Sequence, residues 1–372
     1  MKKTFKQLAH GEKQDEKFMK IALKLSRRGL GHTEPNPMVG AVVVKNGKIL
    51  STGYHQAYGL KHAEAMALEN LQIPGATLYL TLEPCSHFGK TPPCTELIIA
   101  KKITRVVMAM ADPNPLVKGR GIRKLRAHGI QIGCGLYRDW AEGINRHYLK
   151  AIRTRTPYVT LHAGASLDGK LTDDCGQSRW VTSEQGRRYS HSLRGEFSAI
   201  LAGHGTILAD NPRLNLRESG WKGKTLYRVV LDSANSLSRR LNVFREQDRF
   251  PLVIFSANTA ADRGKKVPLH FFVRHGADGL VLADVLGHLF ELGIASLLVE
   301  GGGQVLDSFM RQRLFDEVAF FISNKIVGGR KSVQISASGV ARLEDALELV
   351  DCRWSEYAGG TMLRGFRKCL PD

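Results

Sequence analysis

Residues 83–94 read Glu83-Pro84-Cys85-Ser86-His87-Phe88-Gly89-Lys90-Thr91-Pro92-Pro93-Cys94, and His62-Ala63-Glu64 stands upstream of them. Together they offer one imidazole, two thiols and one unligated carboxylate. A structural zinc site normally has four protein ligands, whereas a catalytic one keeps three and leaves the fourth position to water. His62, Cys85 and Cys94 match the catalytic count. The flanking pattern predicts a helix over Ala63 to Leu71, an apolar strand over Ala76 to Leu82 and a second helix over Cys94 to Ala100. His62 and Cys94 then sit at helix starts, where a thiolate and other anions are favoured.

The residue types suit one kind of chemistry. Exchanging an amino group on a heterocycle for oxygen needs hydroxide at neutral pH, and zinc lowers the pKa of water bound to it enough to supply that. Glu64, beside the metal without binding it, is the expected catalytic proton carrier to the ring and the leaving ammonia. The set therefore predicts a hydrolytic deaminase with zinc on His62, Cys85 and Cys94. Two readings compete with it: unrelated core residues, and a non-enzymatic nucleic-acid-binding protein with a structural zinc, which would have no use for Glu64. The eight residues between the cysteines exceed the two of the H-x-E…P-C-x-x-C signature.

Working outward, 372 residues exceed what one hydrophobic core usually organises and predict two domains. The boundary is expected between Lys150 and Thr156, where Lys150, Arg153 and Arg155 interrupt the apolar pattern, giving domains 1–150 and 156–372. In the first, Lys17 to Arg27 and Gly121 to Ala127 read as helices, and Ala41 to Val44, Lys48 to Ser51 and Arg105 to Met110 as strands. In the second, strands are expected at Tyr158 to Ala163, Ala199 to Ala202, Arg228 to Leu231 and Leu252 to Phe255, with a helix over Ser183 to Arg194. Such alternation implies layered α/β architecture in both halves. Residues 1 to about 14 have no evident core partner, so disorder is expected there.

Ser296 to Val299 reads as an apolar strand, Glu300 to Gly303 as a glycine turn and Gln304 to Arg313 as a helix. Helix-start amides can cradle phosphate, although such turns are common without ligands and G-x-G-x-x-G is absent.

No run of about eighteen apolar residues is present, and no apolar stretch follows Met1-Lys2-Lys3-Thr4-Phe5-Lys6 to make a signal peptide. Cys134, Cys175, Cys352 and Cys369 show no pairing logic, as expected of a reducing, cytoplasmic setting. The net charge of +19 and pI of 9.8 make nucleic acid the rival partner. The same HAE and PC elements occur in RNA adenosine deaminases; the long cysteine spacing and the whole second domain argue against that reading.

The twelve-residue loop closely resembles the zinc loop of the bifunctional riboflavin-biosynthesis deaminase/reductase family. Pro35-Asn36-Pro37-Met38-Val39-Gly40, Asp112-Pro113-Asn114-Pro115 and Gly119-Arg120-Gly121 follow that family's order. So do Ala165-Ser166-Leu167-Asp168-Gly169-Lys170, Ser178-Arg179-Trp180-Val181-Thr182-Ser183, Ala209-Asp210-Asn211-Pro212 and Val299-Glu300-Gly301-Gly302-Gly303, so the likeness covers roughly Lys17 to Gly329. It implies a cytidine-deaminase-like three-layer domain followed by a dihydrofolate-reductase-like domain that binds NADPH. The implied activities are deamination of a phosphorylated pyrimidine and then reduction of its ribosyl chain to ribityl. A homo-oligomer assembled through the reductase domain is expected, with no membrane and no nucleic acid as partner.

By motif position the resemblance implies deaminase substrate contacts at Asn36, His55, His87, Lys90, Asp112 and Asn114. His87 is assigned to substrate because a fourth protein ligand would displace the water. In the reductase it implies a catalytic Asp210 and substrate contacts at Ser178, Arg194, Leu214, Arg217 and Glu300. Cofactor contacts fall at His162, Trp180, Thr182, Thr206, Gly302 and Gly303. Two positions depart from the family: His162 replaces a usual lysine, and Ser323-Asn324 stands where Ala-Pro is frequent before a lysine-containing strand. With an ordinary pKa near 6.5, His162 is expected to be mostly neutral at neutral pH, leaving an altered or lost reductase as the alternative.

Overall fold

The structure, a computed structural model, describes residues 2–88, 92–178, 181–217, 219–221, 223–257, 268–336 and 338–368. The chain divides into two compact units, Met1–Arg155 and Thr156–Asp372. In the first, α1 (Lys2–Ser26), β1 (Gly40–Lys45), β2 (Lys48–Tyr54), α2 (Ala63–Leu68), β3 (Thr77–Leu80) and α3 (Cys94–Ala100) come in order. They are followed by β4 (Arg105–Met108), α4 (Arg120–Ala127), β5 (Gln131–Cys134), α5 (Arg138–Ile144) and α6 (Arg146–Thr154).

The five strands pair in the order β2-β1-β3-β4-β5. The β1 strand is antiparallel to both neighbours, while β3, β4 and β5 are parallel. The two-residue period of a strand assigns its side chains to two cores. Ala41, Val43, Leu78, Leu80, Val106 and Met108 face α2, α3 and α4, through residues such as Ala67, Ile98 and Leu125. Val42, Val44, Tyr79 and Val107 face Phe18, Met19, Ala22 and Leu23 of α1, with Tyr148 and Leu149 of α6. Strands covered on both faces read as continuous apolar runs, and the result is a three-layer α/β/α sandwich.

One expectation is corrected in this unit. Residues 2 onward are helical, so α1 starts well before Lys17; Lys, Gln, Glu and Ala have good helix propensity, which does not require a core partner of its own. The division into units falls within the span expected for it, Lys150 to Thr156, just after α6. Buried His147, Tyr148, Leu149 and Ala151 tie α6 to the first unit, so Lys150 and Arg153 mark its solvent side and the unit extends to Arg155.

The second unit begins with β6 (Tyr158–Ala165), α7 (Glu184–Leu193), β7 (Ala199–Gly203), α8 (His204–Asp210), β8 (Tyr227–Leu231), β9 (Leu252–Ser256) and β10 (Leu269–Phe272). It continues with β11 (His275–Gly276), β12 (Gly279–Leu280), α9 (Leu282–Glu291), β13 (Ser296–Val299) and α10 (Gly303–Arg311). The last strands are β14 (Glu317–Ser323), β15 (Leu349–Tyr357) and β16 (Gly360–Arg367). Among the described residues a nine-stranded sheet runs β10-β9-β8-β7-β13-β6-β14-β16-β15. From β10 to β14 neighbours are parallel, and β16 and β15 add an antiparallel hairpin.

One face of this sheet packs on α9 and α10 through Leu286, Leu289, Leu306 and Phe309. The other is covered by Ile207 and Phe250 at one end and by Leu193 and Phe197 at the other. The β14 strand ends at Ser323, so Lys325 follows the strand instead of lying in it. Ligands of open parallel sheets bind beyond the carboxyl ends of the strands, and Ser166, His204, Asp232 and Glu300 all stand there, after β6, β7, β8 and β13.

Candidate active sites

The α2 and α3 helices and the loop after β3 converge on three ligand atoms. His62, at the start of α2, directs Nδ1 to Cys85 Sγ at 3.7 Å and to Cys94 Sγ at 3.4 Å. The three donor atoms lie within 4.8 Å of one another. Cys94 N–H, in the first turn of α3, donates to Cys85 Sγ at 3.3 Å. An imidazole nitrogen and two soft sulfurs converging on one point are a zinc donor set with one coordination position left over, so the residues fit that ion. Hydrogen bonds from Cys94 draw the Cys85 thiol well below its ordinary value.

Glu64 lies two residues beyond His62 in the first turn of α2 and is 4% exposed. Burial, followed by the nearby Cys85 sulfur, pushes its carboxyl up to about 7. A cavity of about 380 Å³ opens on this cluster, a size suited to a small ligand. Asn36, His55, His87, Asp112 and Asn114 all line it, together with His62, Glu64 and Cys85. Lys90 lies outside the described residues.

Neighbours fix the orientation of several lining groups. Buried His55 lies 3.0 Å by Nδ1 from Lys61 O, so Nδ1 carries the proton and Nε2 can accept from Asn36 Nδ2 at 3.4 Å. Burial lowers the His55 pKa and keeps this neutral form. Asp112 Oδ1 accepts the Tyr148 hydroxyl at 2.8 Å and the Asn114 N–H at 2.9 Å.

Glu83 Oε2 accepts from Asp112 N–H at 3.3 Å and Gly119 N–H at 3.0 Å, and Oε1 from Ile122 N–H at 3.2 Å. Close packing of α4 completes the wall, for a Cβ at Gly121 would stand 2.3 Å from Pro84 O. Sequence reasoning gave no role to Glu83 or Tyr148. Glu83 adjoins Pro84-Cys85 and could have been found there, whereas Tyr148 reads as one more apolar position of an amphipathic helix.

In the second unit the residues proposed for the reductase follow strand ends. Thr206 Oγ1 accepts the Gly302 N–H at 2.9 Å and joins α8 to the turn before α10. That turn has no room for side chains: a Cβ on Gly303 would lie 2.5 Å from Gln334 O, and one on Gly302 3.3 Å from Thr206 Oγ1. A close-packed amide turn at a helix start suits a phosphate, so the residues fit a dinucleotide cofactor.

Ser178 donates to Asp210 at 3.3 Å, and exposed Arg217 donates to Asn215 Oδ1 at 3.3 Å. Thr182 packs on Gly164, where a Cβ would stand 2.3 Å from its methyl. Trp180 lies outside the described residues.

Four of the assigned residues are already engaged within the protein. Arg194 and Glu300, expected as separate substrate contacts, pair with each other: Nε to Oε1 at 2.8 Å and Nη2 to Oε2 at 2.7 Å, with Nη1 donating to Asn215 O at 3.2 Å. Opposite charges in a dry setting satisfy one another first. Leu214 is 3% exposed and its side chain belongs to the core beside Ile200 and Val230, with a left-handed φ of 47°. His162 is 5% exposed, and its Nδ1–H donates to Ala319 O at 2.5 Å.

Residues 12–110 match the family profile described as the cytidine and deoxycytidylate deaminase zinc-binding region, and residues 157–362 match the RibD C-terminal domain. The chain is 40% identical over 338 residues to riboflavin biosynthesis protein RibD of Aquifex aeolicus, covering 90% of this chain and 93% of the relative. It is 39% identical over 354 residues to RibD of Escherichia coli, covering 90% and 94%. Among solved structures it is similar to a diaminohydroxyphosphoribosylaminopyrimidine deaminase/5-amino-6-(5-phosphoribosylamino)uracil reductase of Thermotoga maritima. That match has a TM-score of 0.84 and 36% identity, and covers 97% of this chain and 100% of the other. Acinetobacter baumannii RibD superposes with a TM-score of 0.87 at 29% identity, covering 96% and 99%.

Proposed function

The chain belongs to the bifunctional riboflavin-biosynthesis deaminase/reductase family, RibD, and from that membership we propose how its own residues divide the two reactions. It is a zinc-dependent deaminase in its first unit and an NADPH-dependent reductase in its second. The alternatives of an RNA base deaminase and of a lost reductase are not favoured.

The observation that carries the deaminase assignment is the convergence of His62, Cys85 and Cys94 with buried Glu64 at the floor of the cavity. Zinc bound there supplies a nucleophilic hydroxide at neutral pH. His62, Cys85 and Cys94 hold the ion, and Glu64 carries the proton from the attacking water to the ring and the departing ammonia. Asn36, His55, His87, Asp112 and Asn114 orient the substrate, and Lys90, outside the described residues, is assigned to its phosphate. Orientation by fixed neighbours is the protein's main contribution, since a positioned reactant needs no further ordering.

For the reductase, we assign Thr206, Gly302 and Gly303 to the cofactor phosphates, with His162, Thr182 and, outside the described residues, Trp180 as further cofactor contacts. NADPH supplies the hydride, and the protein supplies alignment. Asp210 is the catalytic carboxylate, with Ser178 and Arg217 around the sugar phosphate; Leu214, whose side chain is in the core, has only its backbone to offer there. Arg194 and Glu300 act as a fixed ion pair at that site, and a pair already satisfied can present its remaining edge to substrate without moving.

Unpaired cysteines at Cys134, Cys175 and Cys352 accord with a cytoplasmic setting. No helix among the described residues is long and apolar enough to cross a membrane. Assembly of like subunits through the reductase unit accords with its edge strand β15, whose Trp354 is 64% exposed. We assign no nucleic-acid partner.

Glu64→Gln separates the roles. The variant keeps bound zinc and reduces pre-deaminated substrate at the parent rate, while ammonia release falls by at least about a hundredfold, as expected for loss of a general acid–base. Ammonia release near the parent rate would remove Glu64 from the reaction.

A further inference from the structure

Asp307 lies one helical turn beyond Gly303 on α10, is 7% exposed, and was not picked out by any motif. All its acceptor positions are taken. Oδ1 accepts the Ser336 hydroxyl at 2.7 Å and the Ser338 N–H at 2.9 Å. Oδ2 accepts the Ser338 hydroxyl at 2.6 Å and Arg311 Nε at 3.1 Å. A carboxylate offers about four such sites, so its geometry is fully determined by these neighbours. Burial alone would raise the carboxyl, but the hydrogen bonds from Ser338 and Ser336 prevail and hold it at about 2.

Those serines belong to the stretch that follows β14, which is fastened by side chains and by a single antiparallel bridge between Gln334 and Lys170. Val327 and Gly328 N–H donate to Asp168 at 3.0 and 2.7 Å, and Lys331 and Ser332 N–H to Asp174 at 2.9 and 2.8 Å. The same stretch then crosses the amino end of α10, where Gln334 O stands 2.5 Å from the place a Gly303 Cβ would occupy. Gly303 and Asp307 thus meet it one helical turn apart, the first by close packing and the second by hydrogen bonds. Removing this carboxylate alone would leave its four donors without an acceptor, so it fixes the geometry of the stretch it holds.

We propose that Asp307 is a positioning residue for NADPH: by fastening Ser336 and Ser338 to α10, it works with the Gln334–Lys170 bridge to keep the Gln334 backbone seated on Gly303 and fixes the Gly302–Gly303 turn that receives the cofactor phosphate. This rests on the assignment of Gly302 and Gly303 to the cofactor. Arg311 bridges Asp307 and Asp278, so the Asp307 carboxylate is paired with a cation that it shares.

The test is calorimetric binding of NADP+ to the full-length zinc-loaded enzyme, without turnover, for the parent, Asp307→Asn and the double variant Ser336→Ala/Ser338→Ala. The double variant approaches the same clasp from the other side and leaves α10 intact. In both variants the Kd for NADP+ rises about tenfold, equivalent to about 1.4 kcal/mol. The rate at saturating NADPH stays within about twofold and ammonia release is unchanged. Hydrogen exchange of residues 301–306 slows in the parent when NADP+ is added. Parental affinity in both variants, or a lower rate at unchanged affinity, overturns the role of Asp307. Absence of that protection in the parent removes the cradle itself, and the proposal with it.

Discussion

His162 and His191 remain uncharged in the folded reductase at neutral pH. Burial lowers the pKa of His162 despite the proximity of Glu300, and burial with the Arg194 charge takes His191 to about 4. The unfolded chain protonates both near 6.5, so below that pH it binds more protons than the fold, and stability rises with pH. The contribution is whole above 6.5, erodes as the pH falls below it, and is lost once the folded value is passed. We therefore expect the thermal midpoint of the reductase to fall as pH drops from 6.5 toward about 4, with His191→Gln removing part of that fall. Superimposable profiles for variant and parent would count against it. At this scale the zinc ligands were legible because His62, Cys85 and Cys94 form a short ordered motif. The Arg194–Glu300 pair was not, since its partners are 106 residues apart and each alone reads as a substrate contact.

The β8 strand shows what a period cannot reveal. Arg228 reads as a polar residue near the start of an apolar run, yet it is fully buried and donates to the carbonyls of Arg213 at 3.2 Å and Arg245 at 2.7 Å, and to that of Phe250. Its guanidinium closes the loops flanking β8 and β9 by satisfying backbone groups that have left the sheet. Arg228→Met strands those acceptors, and a loss of about 3 kcal/mol in reductase stability is expected, with ammonia release retained. An unshifted midpoint would mean that water replaces the guanidinium at no cost. By contrast, β13 at Ser296–Val299 and α3 at Cys94–Ala100 were legible to the residue, being apolar segments bounded by clear turn and helix-start signals. The β15 strand was not, because an exposed edge such as Asp351 to Glu356 has no buried side to imprint an alternation.

Charge is distributed unevenly over the whole molecule. Residues 1–155 hold 26 Lys and Arg against 11 Asp and Glu, whereas residues 156–372 hold 28 against 24. The deaminase unit therefore carries most of the positive field, and its substrate is a phosphorylated pyrimidine. Such a field steers an anion and is screened by salt. Raising ionic strength from about 0.02 to about 0.2 M should lower kcat/KM of deamination more steeply than that of reduction; equal slopes would assign the charge to bulk solubility. Length and the α/β alternation made two domains legible, while the exact division at Arg155 depended on the buried face of α6. The central claim is one chain with two working sites in series. Its most direct test supplies the zinc-loaded protein with the diaminopyrimidine ribosyl phosphate and NADPH, and follows ammonia and NADPH in the same cuvette. Ammonia release first, then an equal amount of NADPH oxidised, is the predicted result; ammonia without NADPH oxidation, or NADPH oxidation before any ammonia, would contradict it.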